Sequence, residues 1–193
     1  MPGFEDDLLD ARDPRFFGIY EGFVVDCDDP DKLGRVRVQV PGLLEPMSGW
    51  AYPAGTVGGG AKDCGFFAVP PKGAEVYVFF VGGDLDQPRY LAGHWGVTDA
   101  GNEVPAEAQR PSPDNRVIAT PNFRIELDEG VGSRGLRITN KTTGDLIELN
   151  AEDNSITIQA TTALTLRATG LVDISGAIVQ INGRPVLAGG DPI

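Results

Sequence analysis

The sequence holds one histidine, His94, and two cysteines, Cys27 and Cys64. It has neither a nucleophile elbow nor a Gly-x-x-x-x-Gly-Lys phosphate loop, so the residue constellations of hydrolytic and phosphoryl-transfer sites are missing. Gly58-Gly59-Gly60 runs into Ala61-Lys62-Asp63 without opening a helix and reads as a plain loop. The chain is expected not to be an enzyme. Two distant cysteines make neither a disulfide framework nor a zinc signature, and both read as buried free thiols in strands. No run of eighteen apolar residues encodes a membrane-crossing helix. Residues 1–13 are acidic and lack the apolar stretch of a secretory signal, so synthesis and folding in the cytoplasm are expected.

Positive charge is also scarce. Lys and Arg number 16 against 28 acids, a formal charge of −12. Residues 1–31 carry ten acids and only Arg12 and Arg15 as bases. Nucleic-acid affinity comes mainly from neutralising phosphates with Lys and Arg, so this balance disfavours a nucleic-acid partner. Asp26, Asp28 and Asp31 sit close in sequence, but the spacing and closing Glu of a calcium loop are absent. No metal or cofactor is expected.

Glycine and proline are abundant, 26 and 15 residues, and favour short strands joined by turns. Residues 14–95 show no helical period. Phe16–Val25 is β-branched and aromatic and closes on the turn Asp28-Asp29-Pro30-Asp31. In Gly34–Pro41, Val36, Val38 and Val40 alternate with Arg35, Arg37 and Gln39, the mark of a half-buried antiparallel strand. Gly65–Val69, Ala74–Val81 and Pro88–Trp95 complete five expected strands, which fit a small barrel of the oligonucleotide/oligosaccharide-binding (OB) type. The aromatics Phe66, Phe67, Tyr77, Phe79 and Phe80 lie in apolar runs and are expected to be buried. His94-Trp95 reads as a half-buried aromatic corner. Residues 96–121 lose all periodicity, hold Pro105, Pro111, Pro113 and Pro121, and read as a linker.

Residues 122–193 contain an internal repeat. Apolar pairs two apart recur: Ile125/Leu127, Leu136/Ile138, Ile147/Leu149, Ile156/Ile158, Leu164/Leu166, Val172/Ile174 and Val179/Ile181. From Ile147 they step by 9, 8, 8 and 7 residues. A buried Leu or Ile contributes ~1.5–3 kcal/mol. Ordering each residue costs ~1–2 kcal/mol of backbone entropy. A lone meander with two apolar side chains per strand therefore cannot hold itself, and no helix or second sheet is encoded to cover it. Three chains wound about one axis would cover one another's stripes and pair their strand edges. The expected architecture is all-β: an acidic arm (1–13), an OB-fold barrel (14–95), a linker (96–121) and an intertwined triple-stranded β-helix (122–193) in a homotrimer. Its expected core is Ile138, Ile147, Leu149, Ile156, Ile158, Leu164, Leu166, Val172, Ile174, Val179 and Ile181. Outward positions such as Thr157, Gln159, Thr165 and Thr169 are polar, and after residue 153 only Arg167, Asp173, Arg184 and Asp191 are charged.

The turn-and-strand Asp29-Pro30-Asp31-Lys32-Leu33-Gly34-Arg35-Val36-Arg37-Val38 resembles the barrel opening of contractile-tail central spikes, the phage baseplate assembly protein V class and the VgrG spikes of type VI secretion. Pro71-Lys72-Gly73 entering Ala74–Phe80, and Gly82-Gly83-Asp84-Leu85-Asp86-Gln87-Pro88, are similar to the same family. So is the close at Val179-Gln180-Ile181-Asn182-Gly183-Arg184-Pro185-Val186. The resemblance implies a non-catalytic, membrane-piercing needle, assembled into a virion tail baseplate or injection-system particle. Its implied partners are tail hub or tube proteins at the barrel, a PAAR-like tip protein at the C-terminus and the target cell envelope. The interval between barrel and repeat is too short for the lysozyme domain some spikes carry, and no histidine pair is present for an apical iron. The rival reading is an OB-fold protein that binds glycan or single-stranded nucleic acid, trimerised by its repeat.

Overall fold

Side-chain alternation builds the wall of the first unit. Val36 and Val38 are fully buried and Val40 nearly so, while Arg37 and Gln39 lie on the opposite face, half-buried. The computed structural model describes residues 14–55, 62–93, 95–99, 101–109 and 113–186. The acidic arm, the Gly58–Gly60 loop, His94 and residues 187–193 lie outside them. The chain divides into two units, 1–104 and 105–193. The described residues contain strands and two short 3-10 turns but no α-helix.

In the first unit, β1 (Tyr20–Asp26) pairs antiparallel with β2 (Arg37–Gln39) and with β4 (Glu75–Phe80). β4 pairs antiparallel with β5 (Pro88–Ala92), and β5 runs parallel to β3 (Tyr52–Pro53). A bridge between Val36 and Ala51 joins β3 back to β2. The circuit β1-β2-β3-β5-β4 thus closes on β1, a five-stranded barrel of the OB type. Val24, Val36, Val38, Val40, Val76, Val78, Phe80 and Tyr90 fill it. Gly93 sits where a Cβ would lie 1.9 Å from the Glu75 carbonyl oxygen, so only glycine lets the end of β5 pass β4.

The barrel corrects one expected strand. Residues 65–69 form no strand, and Phe66 and Phe67 are exposed. The third strand is instead Tyr52–Pro53, because Ala51 and Tyr52 find partners in Val36 and Arg89 and leave no edge for a further strand. Cys64 lies in that same loop, exposed rather than buried, whereas Cys27 is half-buried against the core just past β1. Phe80 is buried as expected, while Tyr77 and Phe79 are half-buried.

The stretch expected as a linker is more structured than its composition suggests. It holds the hairpin of β6 (Val97–Thr98) and β7 (Gly101–Asn102), a 3-10 turn at Ala106–Ala108, and β8 (Asn115–Ala119). β8 is the first strand of the second unit's sheet. It continues as an antiparallel meander through β9 (Phe123–Asp128), β10 (Gly135–Asn140), β11 (Leu146–Asn150) and β12 (Ser155–Gln159). These strands pair within one chain, where the repeat had suggested pairing between chains. Residues 160–179 follow without any strand and are exposed up to Ile178. The described chain ends in a hairpin, β13 (Gln180–Ile181) and β14 (Arg184–Pro185), turned by Asn182 and Gly183 at φ 50° and 73°. Two successive positive φ values are what a tight two-residue hairpin needs, and Asn-Gly supplies them at little cost.

Candidate functional site: an uncovered apolar sheet face

Register decides which side chains share a face of the meander. Ile118 stands opposite Ile125, Ile125 opposite Ile138, Ile138 opposite Ile147 and Ile147 opposite Ile158. A second row runs Leu127, Leu136, Leu149, Ile156. Directly opposed residues of an antiparallel pair project to the same side, so both rows lie on one face, joined by Phe123 two residues before Ile125. Ten large apolar side chains therefore cover one side of five strands. Nearly all are open to water: Ile138 is 41% exposed, Leu149 44% and Ile156 73%.

The opposite face is charged and better covered. Arg137 donates through Nε to Glu148 at 2.7 Å, and its Nη1 lies 3.6 Å from Asp128. Arg124 Nη1 is 2.9 Å from Glu107 and its Nε is 3.5 Å from Glu126. Asn115 donates to the Glu107 carbonyl at 2.6 Å, which ties the Ala106–Ala108 turn to the sheet. Glu107 is held below the usual carboxylate range by its own backbone N–H and by Arg124. Glu126 and Asp128 are buried. A one-sided sheet normally hides its apolar face and wets its polar one. Here the chain shelters the charges and leaves the greasy side open.

The eleven residues expected to form a trimer core divide accordingly. Ile138, Ile147, Leu149, Ile156 and Ile158 lie together on the open face. Leu164, Leu166, Val172 and Ile174 lie in the ladderless stretch, all exposed. Val179 and Ile181 belong to the terminal hairpin, whose Val186 N–H donates to the Val179 carbonyl at 2.8 Å. Ile118, Phe123, Ile125, Leu127 and Leu136 complete the face beyond the expected core. Ile118 and Phe123 belong to no recognised pair, since Ile118 stood in the supposed linker and Phe123 follows a proline turn.

On the barrel, the turn singled out in the sequence is an acid-centred knot. Asp29 Oδ2 accepts from the Leu33 N–H at 2.7 Å and the Arg35 N–H at 3.2 Å. Its Oδ1 accepts from the Asp31 N–H at 3.1 Å and from Arg35 Nε at 3.1 Å. The Arg35 guanidinium holds the Asp29 carboxyl far below the usual carboxylate range, and the backbone N–H groups add to this. Asp31 also pairs with Arg35. Asp26 accepts from the Asp28 N–H at 2.9 Å. These acids are occupied in shaping a turn, and among the described residues no cluster of His, Cys, Asp and Glu is grouped to hold a metal. Tyr90 O–H donates to the Gly34 carbonyl at 2.7 Å and pins the turn to β5.

Residues 20–95 match the family model described as the type VI secretion system/phage-baseplate injector OB domain. No curated protein matches the chain. The matched residues run from the first residue of β1 to just past the end of β5, so the family match and the closed barrel coincide. The barrel is thus similar to the injector OB domain of type VI secretion systems and phage baseplates, a match that supports the class of the VgrG and baseplate assembly protein V spikes and extends over residues 20–95 alone.

Proposed function

We propose that the protein is the central spike of a contractile injection particle, working as a homotrimer whose second unit forms the needle. The observation that supports this reading is the ten-residue apolar face left open on β8–β12, continued by the unpaired apolar residues of 160–179. Three copies facing one axis would bury that surface and supply ladders for a segment that forms no strand of its own. In magnitude, taking a half-exposed Ile or Leu out of water contributes roughly 1 kcal/mol, half of the ~1.5–3 kcal/mol for full burial. Ten of them give about 10 kcal/mol per chain, inside the ~4–15 kcal/mol that association itself costs. The meander face is then marginal alone, and the apolar residues of 160–179 are needed to make the assembly tight.

The barrels would seat on hub or tube proteins, with a separate tip protein at the far end, and sheath contraction would drive the prism into an envelope. The work is mechanical, and no bond is made or broken. Light scattering on the full chain tests this: the expected mass is three times the 20.5 kDa of one chain, and a monomer sinks the reading. Zymography on peptidoglycan is expected to show no clearing beyond a denatured control.

A second reading, ligand binding by the barrel, has one observation in its favour: Trp50 and Tyr52 stand outward beside arginines on β2 and β5. Base stacking needs free ring faces, and those of Trp50 and Tyr52 are taken by guanidinium groups. A gel shift with single-stranded DNA at physiological salt is expected to stay negative.

A further inference from the structure

The terminal hairpin carries a chemistry that the spike reading does not use. The chain holds seven asparagines, and Asn182 alone is followed by glycine. That pairing matters because a backbone nitrogen can attack the side-chain amide of the asparagine just before it. A β-carbon on the following residue crowds the five-membered ring so formed and restricts its backbone. Glycine does neither.

The structure separates Asn182 from the other six. Asn102, Asn140 and Asn150 each accept the N–H two residues ahead, at 2.8, 3.0 and 2.9 Å. Such turns aim the side chain past the neighbouring nitrogen. Asn115 donates to the Glu107 carbonyl at 2.6 Å. Asn122 precedes Phe123 and Asn154 precedes Ser155, so a β-carbon stands beside each attacking nitrogen. Asn154 is the nearest rival, since it too is in the left-handed region, at φ 58°.

Asn182 and Gly183 are both exposed, and among the described residues neither the Asn182 amide nor the Gly183 N–H is hydrogen-bonded. A Cβ built on Gly183 would meet nothing within 4 Å, so a ring has room to close. The hairpin around them is a sheet of its own with two residues in each strand. A lone two-stranded hairpin is marginal in water. It opens locally at little cost, and the geometry for attack is reached without unfolding anything else.

We propose that Asn182 is a site of spontaneous deamidation and isomerisation, with water as the only co-reactant. The Gly183 nitrogen gives up its proton and bonds to Asn182 Cγ. The bond from Cγ to Nδ2 breaks, and the nitrogen leaves as ammonia, which carries the proton away. Water then adds to one of the two ring carbonyls, and the ring opens to aspartate or to isoaspartate. Nothing is oxidised or reduced. Isoaspartate runs the main chain through its side-chain carbons, one atom longer, so Ile181 no longer stands opposite Arg184. Either product adds a negative charge two residues before Arg184. The two turn residues lie outside the apolar pairs that a trimer would bury, so the inference does not depend on the oligomeric state.

Peptide mapping by mass spectrometry on the full chain, aged at physiological temperature, tests it. The amide-to-acid mass gain is expected at Asn182 roughly tenfold faster than at Asn154, from the backbone freedom that glycine alone has. Conversion should quicken from neutral to mildly alkaline pH, because the attacking nitrogen must lose its proton. Aspartate and isoaspartate should both be recovered. Gly183→Ala should slow conversion about tenfold, and Asn182→Gln, which closes a less favourable six-membered ring, should keep its amide over the same period. An intact Asn182 after Asn154 has converted overturns the proposal. So does aspartate without isoaspartate, the mark of direct hydrolysis, or conversion confined to a urea-unfolded sample. An unchanged rate in Gly183→Ala overturns it as well.

Discussion

At the residue scale, two positions carry much of the barrel's geometry. A methyl group on Gly93 would fall 1.9 Å from the Glu75 carbonyl oxygen, and backbone cannot step aside cheaply. Gly93→Ala is therefore expected to cost about 3 kcal/mol or more, read as a lowered denaturant midpoint for the barrel transition. Asp29 makes a pH-dependent contribution. Its carboxyl is held below its ordinary value of 3.8 by Arg35 first and by backbone N–H groups after. A depressed acid stabilises the fold above that ordinary value and loses its effect as pH falls toward the folded-state value. Comparing wild type with Asp29→Asn by thermal melts should show a gap that is constant from pH 7 to 5 and shrinks below pH 4. The turn character of Asp29-Pro30-Asp31 was legible from composition. Its acid-to-arginine knot was not, because nothing in the spacing says which of four neighbouring acids will meet Arg35.

At the element scale, register separates what the sequence shows from what it hides. Valine alternation at 36, 38 and 40 announced a strand with one wet face, and those three side chains are core. The apolar pairs of 125–158 announced strands with one greasy side, and the rows they form are as the period of two requires. Several features escaped, the β6–β7 hairpin in the supposed linker among them. β3 is two residues long and rests on the Ala51 bridge, too short for any period to register. Phe66-Phe67 looked like core because aromatics usually are, yet the closed barrel offers them no seat. β8 was masked by the prolines on either side of it. The terminal Asn182-Gly183 hairpin carried a readable turn signal that the eight-residue repeat overshadowed. A charged residue in the middle of the open face tests its role: Ile138→Asp should abolish the proposed trimer and leave a monomer by light scattering. The near-ultraviolet signal of Trp50 in the barrel should persist.

For the whole molecule, the two units are expected to respond differently to dilution and truncation. Because the meander face is marginal by itself, a chain ending at Gln159 should sediment as a concentration-dependent mixture, while the full chain holds its mass down to the lowest measurable concentration. The barrel has a further consequence for how the protein is made. Its closing pair, Tyr52 beside Arg89, is parallel and joins segments far apart in the chain, and such nonlocal contacts are slow to form. The meander is all adjacent hairpins, quick to appear but unsheltered until partners arrive. During synthesis the slow element leaves the ribosome ahead of the fast, sticky one. For a chain that trimerises as proposed, that order would give the barrel time to close before three nascent chains have greasy sheets to share, and it would limit the interval in which those sheets could aggregate.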